Sequence, residues 1–220
     1  MLRTPVFAIA TALCLGGPVR ACETALLLAI DISGSIDEGE YLLQMQGLAE
    51  ALADPDIIEA LVTDQVSLAM VQWSGVGKQS LTLPWQAMRS AADVASFAAR
   101  TRALPRAFTA SDTAVGDALR FSIRQFADVA ACKRHVIDIS GDGPENVGFT
   151  VSQARAEAEA QGITINAIAI EDAGRAAPIT AFYRRWAITK GGFVVTARRL
   201  QDYPRAIHDK LLRELAKLAS

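Results

Sequence analysis

From Ala25 to Ile30 the chain runs through Ala-Leu-Leu-Leu-Ala-Ile without polar alternation, then turns abruptly polar at Asp31-Ile32-Ser33-Gly34-Ser35. A continuous apolar run of this kind suits a strand buried on both faces, as in a parallel sheet covered by helices. Downstream the period changes. Tyr41, Leu42, Met45, Leu48, Ala49 and Leu52 recur at helical spacing and predict an amphipathic helix ending near Asp54-Pro55. Val66 to Trp73 reads as a second strand. Gln79 to Leu83 reads as a third, joined to it through Ser74-Gly75-Val76-Gly77 as a hairpin and therefore an antiparallel edge strand. Ala91 to Arg102 reads as a helix closed by Pro105, and Val115, Leu119, Ile123 and Phe126 share one face of the next helix. Strands over His135 to Ile139, Ile163 to Ile170 and Phe193 to Thr196 then alternate with helices over Val151 to Gln161, Ile179 to Ile188 and from Tyr203 to Leu218. This alternation predicts an α/β fold: a doubly wound, mainly parallel six-stranded sheet with one antiparallel edge strand and helices on both faces.

Sheets of this class bind ligands at the carboxyl ends of their strands. The polar loops there are the first place to look for chemistry. Asp31, Ser33 and Ser35 supply a carboxylate and two hydroxyls at alternate positions, a partial cage for a hard divalent cation. The same residues carry a second reading, since Ser35 and Glu38 have the spacing of a capping box at the start of the next helix. Two further loops offer oxygen: Phe108-Thr109-Ala110-Ser111-Asp112-Thr113, and Ser140-Gly141-Asp142-Gly143-Pro144-Glu145-Asn146. Thr113 or Asp112 read alone is a plain helix N-cap, and Asp142 a turn residue.

Composition narrows the class. Of 220 residues, 51% are hydrophobic, enough for one sizeable core. Residues 1–21 have the form of a secretory signal peptide: Arg3, an apolar run from Val6 to Leu15, and the small-residue pattern Val19-Arg20-Ala21. Residues 22–220 are then expected to form a single domain, exported to the periplasm or secreted. Arg20 argues against a lipid anchor at Cys22. Losing Arg3 and Arg20 shifts the net charge from −2 to about −4. No basic stripe suggests nucleic acid, and no other stretch is long and apolar enough to span a bilayer. Cys22 lies nine residues before Asp31 and Cys132 ten before Asp142. If those aspartates end neighbouring parallel strands, the two thiols meet at the opposite edge of the sheet and form an intramolecular disulfide.

Asp-x-Ser-x-Ser after an apolar strand, a threonine before Ala114-Val115-Gly116-Asp117-Ala118-Leu119, and an apolar strand ending in Gly141-Asp142-Gly143 together resemble the von Willebrand factor type A (vWA) domain with its metal-ion-dependent adhesion site. The resemblance covers roughly residues 24 to 215. It implies a vWA/Rossmann-like fold in which Ser33 and Ser35 hold the cation directly and Thr113 joins them in a ligand-bound state. Asp31 and Asp142 would act mainly through bound waters. Mg2+ is the expected ion, with Ca2+ or Mn2+ served by the same oxygens. A site of mostly neutral direct ligands leaves the cation undercompensated, so it should draw in a Glu or Asp carboxylate from a protein partner.

The chain departs from the family pattern at two places. Gly141 stands where threonine is usual before the third-loop aspartate. Ser111-Asp112 precedes Thr113 where glycines are common, which leaves Thr109 as an alternative ligand. Two other functions stay open. One is a metal-assisted hydrolase using Ser33 or Ser140, although His135 and His208 are placed away from both and Ser140 lacks a nucleophile-elbow frame. The other is an interaction scaffold of the same fold with an empty site, in which Trp85 or Trp186 would serve as contact anchors or sit in the core.

Overall fold

The computed structural model describes residues 22–109, 112–171 and 178–216; the segment read as a signal peptide lies outside them. Strand β1 (Thr24–Asp31) is buried along its whole length. Its alternate residues feed two cores. Leu26, Leu28 and Ile30 point into one, and Ala25, Leu27 and Ala29 into the other. This is why the run shows no polar alternation: both faces of the strand are covered.

On the first face lie α1 (Glu38–Ala51), α2 (Pro55–Thr63), α3 (Ala91–Arg102) and the terminal α7 (Tyr203–Ala216). On the second lie α4 (Val115–Gln125), α5 (Val151–Ala160) and α6 (Ile179–Phe182), the last continuing as a π-helical turn over Tyr183–Ala187. Between them is a six-stranded sheet of order β3-β2-β1-β4-β5-β6. Its other members are β2 (Ser67–Trp73), β3 (Gln79–Ala87), β4 (Arg134–Gly141), β5 (Ile163–Ile170) and β6 (Val194–Ala197). All neighbours pair in parallel except β2 with β3, the expected antiparallel edge.

Three details differ from the sequence reading. The capping box sits two residues further on. Asp37, not Ser35, accepts from the N3 backbone, and Glu40, not Glu38, reaches back to the N-cap N–H. Asp54-Pro55 ends one helix and begins another, because Asp54 caps α2 and Pro55 occupies its first turn. Finally, β3 runs on past Leu83 to Ala87, through Pro84 and with register irregularities, as an edge strand tolerates.

At the amino ends of β1 and β4, Cys22 and Cys132 form a disulfide, with Cα atoms 4.5 Å apart. Parallel pairing of β1 with β4 carries Thr24 beside Arg134 and so brings the two cysteines together. Trp85 is held in the structure rather than presented outward. Its Nε1–H donates to the Gln125 carbonyl at 2.9 Å, and its ring packs 5.3 Å from that of Phe126. Trp186 is 41% exposed, with the Arg185 guanidinium over its ring.

Candidate functional site

At the carboxyl end of the sheet, β1 and β4 are adjacent and deliver Asp31 and Asp142 to the same edge. The Ser33 N–H donates to Asp31 Oδ1 at 2.7 Å, which turns the chain back on itself at the strand end. That turn places the Ser33 and Ser35 hydroxyls 3.2 Å apart, and Ser35 Oγ donates to Asp142 Oδ1 at 2.7 Å. Four of the five residues expected at a metal site are therefore joined by side-chain or turn hydrogen bonds. This also decides between the two readings of Ser35: its hydroxyl is turned to Asp142, so it does not cap the helix.

Thr113 is buried, and its backbone is tied to the third loop. Its N–H donates to Asn146 Oδ1 at 2.8 Å, and its carbonyl accepts from the Asn146 N–H at 3.0 Å. Its hydroxyl makes no hydrogen bond to the other four among the described residues. The rival N-cap reading fails for both Thr113 and Asp112, since the N-cap residue of α4 is Ala114, which has no polar side chain to cap with. Thr109 is exposed.

Three residues that sequence reasoning did not single out build the surroundings. Glu145 accepts from the Gly116 N–H at 2.8 Å and from the Val151 N–H at 3.1 Å, so one carboxylate satisfies the open amino ends of both α4 and α5. The two helix starts come this close because Gly116 has no side chain: a Cβ there would lie 2.3 Å from Thr150 Oγ1. Arg106 donates from one guanidinium nitrogen to the carbonyls of Ile32 and Ser33, at 2.7 and 2.8 Å, and fixes the backbone of the first loop. Tyr183, fully buried, brings its hydroxyl against Gly141. For Glu145 the only sequence signal was its place in the Gly-Asp-Gly-Pro-Glu-Asn run; Arg106 and Tyr183 carried none.

Asp31 sets the electrostatics. It is completely buried, Oδ2 has no hydrogen-bond partner, and no Lys or Arg pairs with it among the described residues. Burial, reinforced by the neighbouring charge of Asp142, pushes its carboxyl up to about 7, against the pull of Ser33 and of the Asp142 backbone N–H. Two carboxylates and two hydroxyls converge here, with one carboxylate oxygen unspent. Oxygen donors of this kind suit a hard divalent cation, which would relieve the cost of ionising Asp31. The histidines lie elsewhere. His135 meets the Val129 carbonyl at 3.2 Å, near the disulfide end of the sheet, and His208 pairs with Asp54 at 3.0 Å.

In three dimensions the chain is similar to a von Willebrand factor type A protein from Catenulispora acidiphila, with 19% identity and a TM-score of 0.61 over 90% of this chain and 43% of that one. It is similar also to proximal thread matrix protein 1 of the mussel byssus, described with a zinc-occupied MIDAS motif, with 15% identity and a TM-score of 0.63 over 89% of this chain and 46% of that one. BatB from Bacteroides thetaiotaomicron matches at 17% identity and a TM-score of 0.55, over 88% of this chain and 99% of that one. The chain thus spans less than half the length of the Catenulispora and byssus proteins. No curated protein matches it in sequence. A family model described as a protein of unknown function (DUF1194) matches residues 21–219. The chain belongs to that family, and its fold is that of the von Willebrand factor type A domain.

Proposed function

We propose that the protein is an exported, cation-dependent binding module that presents a divalent ion, Mg2+ first, to an acidic side chain of a protein partner. The observation that carries this is Asp31: a buried carboxylate with an unspent oxygen and, among the described residues, no basic partner, next to Asp142 and two hydroxyls. Asp31, Ser33, Ser35, Asp142 and Thr113 would hold the ion between them, Thr113 joining when a ligand is bound. The ion supplies a Lewis-acidic position open to a carboxylate. The chain's own part is to fix its oxygens with Arg106 and Glu145 and to shield the inner ones from water. A MIDAS site holding zinc in the byssus protein supports divalent binding by this fold. Val76 and Phe149, 55% and 75% exposed, stand at the same end of the sheet as apolar surface a partner would cover.

Export draws support from the Cys22–Cys132 disulfide, a bond that persists in oxidising compartments. Among the described residues no helix is long and apolar enough to cross a membrane. The Cys22 sulfur lies in that bond, which supports reading the chain as a periplasmic or secreted protein cut after Ala21.

The test is a calorimetric Mg2+ titration of the cation-stripped mature protein beside Asp142→Ala, followed by Mn2+ and Ca2+. One saturable site in the wild type, lost in the variant, supports the module. No binding of any of the three ions, with both proteins folded, sinks it in favour of a scaffold. Hydrolase chemistry through Ser33 or Ser140 draws no support from either histidine.

A further inference from the structure

Gly141, the last residue of β4, stands immediately before Asp142, and the space beside it is filled from another part of the chain. A Cβ on residue 141 would lie 2.3 Å from the Tyr183 hydroxyl oxygen, 3.0 Å from Asp31 Oδ2 and 3.4 Å from Trp73 Cζ2. No real Cβ approaches an oxygen that closely, so the phenol and a side chain at 141 exclude one another. The Tyr183 hydroxyl and Asp31 Oδ2 crowd the same point. Both are fully buried, and among the described residues neither has a hydrogen-bond partner; the same is true of Trp73 Nε1.

A tyrosine packed only as an apolar body would leave its hydroxyl desolvated and unpaired, which costs stability. Phenylalanine would fill the same volume without that cost. The phenol is brought here by the π-helical turn Tyr183–Ala187, in which the Ile188 N–H reaches back to the Tyr183 carbonyl at 3.1 Å. Such widened turns are rare and frequent at functional sites. A phenol is an O–H donor at neutral pH, and this one is aimed at the same point as the carboxylate oxygen.

We infer that Tyr183 is a positioning residue of the cation site, its O–H directed to Asp31 Oδ2 and doing from α6 what a side chain at position 141 cannot do from β4. The inference rests on the cation-binding reading above. With an ion at the site, the phenol is the neutral donor that holds the buried Asp31 Oδ2 in place. Groups that orient metal-site carboxylates in this way typically govern affinity by about 10–100-fold.

Tyr183→Phe separates this from a packing role, because it keeps the ring and removes only the hydroxyl. Mg2+ affinity is measured by calorimetry for wild type, Tyr183→Phe and Asp142→Ala, and each protein is unfolded in denaturant with chelator present. The expected result is a dissociation constant raised about 10–100-fold in Tyr183→Phe, with cation-free stability unchanged or higher because an unpaired buried hydroxyl has gone. Wild-type affinity in Tyr183→Phe, with binding abolished in Asp142→Ala, overturns the role of Tyr183 and leaves the cation site standing. A wild type that binds none of Mg2+, Mn2+ and Ca2+ overturns both. Weaker affinity together with an equal loss of cation-free stability also overturns it, since that is the signature of packing.

Discussion

Replacing Asp31 with asparagine should stabilise the cation-free protein while destroying its response to cation. A carboxyl held at about 7 in the folded chain and near 3.8 when unfolded binds its proton more tightly when folded. Stability is therefore highest at low pH, falls as pH rises between those values, and levels off above 7. Each tenfold change in proton affinity is worth about 1.4 kcal/mol, so this one group should remove about 2.5 kcal/mol between pH 5 and pH 8. Asparagine keeps the acceptor for the Ser33 N–H, carries no charge, and turns an N–H toward the Tyr183 hydroxyl, which can accept it. Denaturant unfolding with chelator at pH 5 and pH 8, on wild type and Asp31→Asn, measures the slope directly. The variant should lack the fall attributed to Asp31 and exceed the wild type at pH 8 by about 2–4 kcal/mol. Millimolar Mg2+ should raise the wild type at pH 8 and leave the variant unmoved. Equal pH slopes in the two proteins would refute the account of Asp31 as a buried, uncompensated charge.

Other regions give independent expectations. Cys22→Ser with Cys132→Ser opens a loop of 110 residues and should cost about 4–5 kcal/mol in unfolding free energy, with the sheet retained by circular dichroism. The hydrogen bond that Asp54 accepts from His208 raises the His208 pKa and lowers that of Asp54. Their contribution should be fully present from the ordinary Asp value up to about pH 6.5, then fade as pH rises through the raised His208 value; at the acid end it is lost as pH falls through the lowered Asp54 value. An NMR titration of His208 should show its pKa dropping toward the ordinary value in Asp54→Asn, and an unchanged titration would dismiss the pair. Lys210 is fully buried and ion-paired with Asp138. Lys210→Met strands that carboxylate and should cost about 3–5 kcal/mol, whereas adding Asp138→Leu should recover most of it. Equal loss in single and double variants would contradict the pairing.

Periodicity made most of the fold legible. β1, β2, β5, α3 and α4 stand where apolar spacing put them, because each is covered on the faces its pattern implies. The α2 helix escaped because Asp54-Pro55 is ambiguous in one dimension: it stops α1 and starts its successor. Asp31, Ser33, Ser35 and Asp142 were legible for a topological reason, since they lie at or just past the carboxyl end of a buried strand and parallel pairing of β1 with β4 brings them together. Tyr183 and Arg106 reach the same edge from an irregular helix and from the loop after α3. A tyrosine on an apolar helical face looks like core until the missing Cβ of Gly141 shows what its hydroxyl approaches. The departure at Gly141 was visible in the sequence, but its compensation 42 positions later was not.

Two buried aspartates on neighbouring strands show how differently this sheet treats charge. Asp138 lies within β4, beneath α7, and the chain supplies Lys210 from that helix to meet it. Close by, Asn166 donates to Glu214, which also meets Arg134 at 3.5 Å. These charges are internal, and breaking one partner would leave the other stranded in a medium that penalises it heavily. Asp31 ends β1, the strand paired with β4, and is just as buried, yet no basic side chain among the described residues comes to it. A sequence able to place a lysine under one carboxylate has left the other to burial, a second aspartate and an unpartnered phenol. Stability alone does not favour that choice, because an asparagine at 31 would remove the penalty. On the cation-binding reading, a charge at this position is there to meet a counterion from outside the chain, and the site, rather than the core around it, carries the function.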